Sequence, residues 1–75
     1  MAKKDKSADS VYKITEVIGT SSTSWEEAAK NAVETASRTL RDLRVAEIVK
    51  LDVKVKDGRV AAYRTRVALS FKYES

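Results

Sequence analysis

The chain has no cysteine and no histidine, and it carries a single tryptophan and two glycines. No apolar run approaches the roughly 18–20 residues needed to span a bilayer as a helix. Without cysteine there is no disulfide, and without cysteine or histidine there is no zinc centre of the ordinary kind. A cysteine nucleophile and a histidine base are excluded with them, and the plentiful serines and threonines lack a base of suitable pKa. A Walker phosphate loop needs G-x-x-x-x-G-K-[ST], but only Gly19 precedes the serine-rich segment and no lysine follows. No loop clusters its acidic residues as an EF-hand requires. The chain does not read as an enzyme.

What is present reads as one small domain of 75 residues. A chain this short buries only about 60% of its unfolded surface and usually needs a staple. With disulfides and zinc gone, self-association is the favoured staple. The net charge is +4. Part of it lies in residues 1–10, "MAKKDKSADS", which has no apolar period and reads as a disordered basic tail. Residues 11–75 then form the folded domain. No secretory apolar segment follows the first methionine, so the expectation is a cytoplasmic location with no membrane partner. The basic excess reads as solubility. A nucleic-acid-binding module is the more distant alternative, because Tyr63, Phe71 and Tyr73 fall on the apolar side of their strand.

"VYKITEVI", Val11 to Ile18, is rich in β-branched residues and predicts a strand bounded by Gly19, with "GTSSTS" as a turn. Ser24 and Glu27 have the spacing of a capping box, in which serine caps an orphan N–H and glutamate reaches back. Glu26 and Glu27 also suit the positive end of a helix dipole. Trp25, Ala28, Ala29, Ala32, Val33, Ala36, Leu40 and Leu43 recur at steps of three and four. They predict a helix to about Leu43 with one apolar stripe. Trp25 begins that stripe, in phase with the alanines. It reads as a core residue sealing the helix start, its N–H turned to a polar partner, rather than as a stacking platform.

Asp57-Gly58 has the residue types of a tight hairpin turn. On each side runs a strand of about fourteen residues. Val49, Leu51, Val53 and Val55 alternate with charges in one, and Tyr63, Thr65, Val67, Leu69 and Phe71 in the other. Such alternation predicts an antiparallel pair with one buried face. Strands of that length span roughly 46 Å, whereas a helix of about nineteen residues spans under 30 Å. One helix cannot cover the hairpin, so a second copy should meet the rest.

The order strand, "IGTSSTSWEEAAKNAV" helix, then two long strands from "VAEI" to "YRTRVALSFKYE" resembles the dodecin family over residues 11 to 74. The resemblance implies an α+β fold of β-α-β-β type, a three-stranded antiparallel sheet wrapped around one helix. It also implies a homododecamer forming a hollow cage. In the family a tryptophan before the Ala/Phe-Glu-Val/Ile piece stacks on flavin, and a glutamine after the third-strand tyrosine reaches the flavin's polar edge. The matching residues here are Val45 and Arg64. Valine has no π face, and arginine donates without accepting. The combination of "TSW", "RVA" and "YR" is closest to the branch described as binding calcium in place of flavin. Glu16, Glu47 and Asp52, acidic residues within strands, are the candidate metal ligands, with ordinary ion pairing as the plainer role for each. Arg64 alternatively suits a phosphate, as in flavin mononucleotide (FMN), coenzyme A or another nucleotide. The function expected is small-ligand or ion binding and storage, with flavin binding weak or absent; a flavin store with altered contacts is the rival.

Overall fold

The computed structural model describes residues 11–72. The expected basic tail and Tyr73 lie outside those residues. The elements run β1 (Tyr12–Ser21), α1 (Trp25–Ala36), β2 (Leu43–Lys56) and β3 (Arg59–Lys72). The three strands form one antiparallel sheet in the order β1-β3-β2, and the helix lies on one face of it. This is the α+β arrangement that the resemblance implied. No described helix is long and apolar enough to cross a membrane.

Two boundaries differ from the sequence reading. Gly19 does not end β1, which continues through Thr20 and Ser21 opposite Arg64 and Tyr63. Gly19 is instead where the helix comes closest. A Cβ there would overlap the Ala28 carbonyl oxygen and stand 2.9 Å from Ala32 Cβ. Ala28 and Ala32 are buried on the facing side of α1. Small residues on both elements let helix and strand backbones nearly touch, and Asn31 Nδ2 adds a hydrogen bond to the Thr20 carbonyl at 3.0 Å.

The helix ends at Ala36, well before Leu43. Ser37 Oγ donates to the Glu34 carbonyl and Thr39 Oγ1 to the Ala36 carbonyl, at 3.0 and 3.3 Å. Hydroxyls that compete for backbone carbonyls favour turns over helix interior. Asp42 then takes a left-handed conformation, φ 56°, and redirects the chain into β2. Leu40 and Leu43 still pack on the core of Ala32, Val67 and Leu69. Trp25 apart, the apolar period marked residues that are buried or half-buried against the core, but it overextended the helix.

The helix starts where the sequence reading put it, but only half of the capping box forms, because the Ser24 N–H donates to Ser21 Oγ at 3.4 Å in place of the Glu27 carboxylate. Ser24 is the N-cap, accepting from the Glu27 N–H at 3.0 Å. Trp25 opens the helix and donates its indole N–H to the Asp52 carbonyl at 2.9 Å. It remains 38% exposed, so the core role expected of it is not met within one subunit. Thr65, fully buried on β3, donates Oγ1 to the Trp25 carbonyl at 2.9 Å.

The hairpin turns at Asp57 and Gly58, both at positive φ (52° and 75°), as a tight turn of this type requires. Both hairpin strands have fourteen residues. The inward face of β3 is buried at Thr65, Val67 and Leu69. The alternation predicted for β2 is broken, because its pairing shifts between Ile48 and Lys50 and leaves Val49 unopposed. Ile48 and Leu51 share the helix side of the sheet with Val67 and Thr65, yet both stay exposed.

The close approach at Gly19 carries a stability prediction. Gly19→Ala should lower stability by more than about 2 kcal/mol, because backbone must shift to admit the methyl group. Gly58→Ala meets open space and should cost only about 1–2 kcal/mol, from its left-handed conformation. Urea denaturation midpoints of the two variants check the order.

Candidate functional site

On the sheet face opposite the helix, charged side chains form rows set by strand register. Arg64 stands at the centre of one row, with Thr20 on one side and Asp52 on the other. Arg66 is flanked by Ile18 and Lys50, and Ala68 by Glu16 and Glu47. These rows hold every residue singled out from the sequence for ligand or metal binding except Val45.

Arg64 and Asp52 form a two-pronged ion pair. Arg64 Nε donates to Asp52 Oδ1 at 2.8 Å and Nη2 to Oδ2 at 3.1 Å. The fork geometry of the guanidinium matches a carboxylate in this way, and it is the stronger class of charged hydrogen bond. That bond holds the Asp52 carboxyl below its usual range, with the Arg64, Lys50 and Arg66 charges adding to the effect against partial burial. Arg64 is pushed up by the same contact. Two of its donors are therefore engaged within the subunit. Beneath the pair, Trp25 meets Tyr63 edge-on, ring centroids 5.1 Å apart at 74°. The Asp52 segment thus holds the helix start through its carbonyl and Arg64 through its carboxylate.

The three candidate metal ligands are divided. Glu16 and Glu47 both stand opposite Ala68, from β1 and β2. Their Cα positions are two strand spacings apart, roughly 10 Å, with a small alanine between. Glu16 Oε1 is 3.8 Å from Arg66 Nη1. Asp52 is four β3 positions further along and is paired with Arg64. Among the described residues, no three acidic side chains gather where a metal ion could sit.

Val45 is likewise separate from Arg64. It stands opposite Ser70, six β3 residues from Arg64, which is about 20 Å. It is exposed, at the start of β2 beside a shift in pairing between Leu43 and Val45. One subunit does not bring the two positions matching the family flavin site within reach of one ring. Contacts between copies would have to do so.

Sequence reasoning missed the specific pairing of Asp52 with Arg64 and the contact of Tyr63 with Trp25. The register was the obstacle. Counting outward from the Asp57-Gly58 turn puts Asp52 opposite Tyr63. An extra residue at Ala61, between the pairs Lys54–Ala62 and Val55–Val60, brings Arg64 into place instead. The available signal was the alternation of Tyr63, Thr65 and Val67, which puts Arg64 on the polar face with Asp52.

The comparisons with known proteins agree with the resemblance to the dodecin family. The dodecin family model matches residues 11–74. A protein of Mycobacterium tuberculosis called calcium dodecin is 44% identical over 63 residues, covering 84% of this chain and 89% of the relative. The dodecin structure from Streptomyces coelicolor superposes with a TM-score of 0.83 at 37% identity, covering 91% of this chain and 97% of that one. The structure of the M. tuberculosis calcium dodecin is described as a calcium-chelating immunodominant antigen with a novel calcium-binding site. It superposes with a TM-score of 0.77 at 43% identity, covering 87% of this chain and 93% of that one.

The Asp52–Arg64 pair should show in the pH dependence of stability. A carboxylate whose folded pKa is depressed stabilises the fold above its unfolded pKa, about 4, and loses that contribution as pH falls through the folded value. Asp52→Asn should lower the urea midpoint at pH 7 and flatten its decline below pH 4. The two proteins should converge in strong acid.

Proposed function

The chain belongs to the dodecin family, and we propose that it is a non-enzymatic protein that assembles as a hollow homododecamer and binds a small ligand or ion at contacts between its copies. Calcium is the first candidate, and flavin binding is weak or absent. The observation that carries the reading is the apolar surface left bare in one subunit. Ile48, Leu51, Val55 and Val60 are exposed large apolar residues on the helix side of the sheet, and Ile14, Ile18 and Val45 are exposed on the other face. A surface of that kind marks an interaction site, and an 8.3 kDa chain gains from oligomerisation the stability that a small core lacks.

Two features support weak flavin binding. Val45 offers no aromatic face where the family stacks its flavin, and such stacking is worth about 0.5–1.5 kcal/mol per pair beyond area. Arg64 already serves Asp52, so an approaching flavin edge would compete with an existing ion pair. The same pairing weakens the nucleic-acid alternative, because Asp52 and Glu16 offset two central arginines of the charged face.

Calcium takes six to eight oxygen ligands. Glu16 and Glu47 supply four carboxylate oxygens at most, so one subunit does not complete a site. In this reading a symmetric contact gathers those carboxylates from more than one copy. The calcium-binding site described for the M. tuberculosis relative supports calcium as the ion. Cytoplasmic storage or buffering is the role that follows.

Native mass spectrometry of the protein as purified should show twelve copies of the 8.3 kDa chain, about 100 kDa. A monomer would overturn the cage. Calorimetric titration should then detect calcium, and FMN binding should be weaker than about micromolar. Tight FMN binding with quenched fluorescence would favour the flavin store. Val45→Trp should raise FMN affinity at least tenfold if the cage places this position where the family stacks its ring.

A further inference from the structure

The sheet face opposite the helix is unevenly charged. Along β2, Lys50, Asp52, Lys54 and Lys56 alternate with Leu51, Val53 and Val55, and register sets Arg66, Arg64, Ala62 and Arg59 opposite them in turn. The half of this face toward the hairpin turn therefore carries six cations in four rows, a stripe about 20 Å long. One carboxylate, Asp52, stands within it and is held by Arg64. Asp57 lies in the turn beyond one end. Glu16 and Glu47 lie beyond the other, in the Ala68 row, with Glu16 3.8 Å from Arg66. The side chains of Lys54, Lys56 and Arg59 have no ion-pair or hydrogen-bond partner among the described residues. All three are exposed, as are Lys50 and Arg66.

Two of these rows set like charges directly opposite each other, Lys56 with Arg59 and Lys50 with Arg66. Such pairs destabilise a sheet, and an anion lying over them would relieve the repulsion. The chemistry of that anion follows from what the stripe lacks. Besides its charged residues it holds only Ala62 and, on β1, Thr20 and Ile18. Trp25 and Tyr63 meet on the helix side. Tyr12 is on the charged face but stands opposite Lys72, six β3 positions past Arg66. A nucleic-acid strand gains about 1–3 kcal/mol per base by stacking on aromatic side chains, and the stripe has none to offer. An anion bound here is held by charge, and it must be long enough to cross several rows.

We propose that this stripe binds inorganic polyphosphate, a linear chain of phosphate units with a negative charge on each and no base or sugar. Lys54, Lys56 and Arg59 are its first contacts, and Lys50 and Arg66 continue the track. Ala62, with only a methyl group, leaves room for the chain between Arg59 and Arg64. The Asp52–Arg64 pair need not open. Neutralising several phosphates releases their counterions, so binding weakens steeply with salt. Val45 and the Glu16–Glu47 row lie outside the stripe. The contact is therefore separate from the family flavin position and from the calcium reading, and it does not depend on the cage.

Isothermal titration of the protein as purified, in low salt without added calcium, compares long-chain polyphosphate, tripolyphosphate and single-stranded DNA of matched charge. The long chain should bind and the short one much more weakly. Raising the salt about fourfold should lower the affinity roughly tenfold or more. The variant Lys54→Gln, Lys56→Gln, Arg59→Gln should also lose roughly tenfold or more. It should unfold at the same or a higher urea concentration, since a like-charge pair is removed, so its lost binding is not lost fold. The variant Lys30→Gln, Arg38→Gln, Arg41→Gln removes the same charge from exposed positions outside the stripe and should keep most of the affinity. Equal losses in the two variants would reduce the effect to net charge and overturn the proposal. Tighter binding of DNA than of polyphosphate would overturn it too, as would no binding at all. Each of those failures leaves the cage and calcium readings standing.

Discussion

The shape of this subunit follows from a mismatch of lengths. The helix has twelve residues, roughly 18 Å at 1.5 Å per residue. The hairpin strands have fourteen each, roughly 46 Å. A single helix can therefore bury the middle of β3 and no more. Thr65, Val67 and Leu69 disappear beneath it, while Ile48, Leu51, Val55 and Val60 stay in contact with water. The helix is also held in one place. Gly19, Ala28 and Ala32 bring it against β1, and the Trp25 indole and Thr65 hydroxyl tie its first residue to the hairpin. Sliding to cover β2 would break all of these. The uncovered face is built into the fold, and association with further copies is the natural way to bury it.

The opposite face of the sheet is organised by charge. Two arginines of the central strand each pair with one carboxylate on an edge strand: Arg64 with Asp52 on β2, and Arg66 with Glu16 on β1. A chain with a net charge of +4 thus spends its central cations internally. Glu47 is different. It shares the Ala68 row with Glu16, and the small alanine leaves room between two carboxylates.

Much of the fold was legible in the residues. Asp57-Gly58 announced the hairpin because few other residue types accept two successive positive φ values. The Ser24–Glu27 spacing located the helix start, since an exposed backbone N–H must find a partner. The helix end was misread because a period of three to four continues through Leu40 and Leu43, which are half-buried against the core although they are not helical. Burial, not helicity, is what such a period reports. Gly19 was taken for a boundary because its role depends on Ala28 and Ala32 lying across from it.

The sequence by itself determined the elements, their order, the apolar side of the central strand and the excess of hairpin over helix, because periodicity, capping and turn chemistry are local. Only the tertiary structure decided which residues meet. One extra residue at Ala61 moves Arg64 opposite Asp52, and another at Val49 puts Ile48 and Leu51 together on the helix side. Such bulges leave little trace in the pattern of residue types, yet each shifts a register by one position. In a sheet with a period of two, that shift changes which side chains become partners. The two shifts are opposite in sense and cancel by Glu47, which therefore shares the Ala68 row with Glu16.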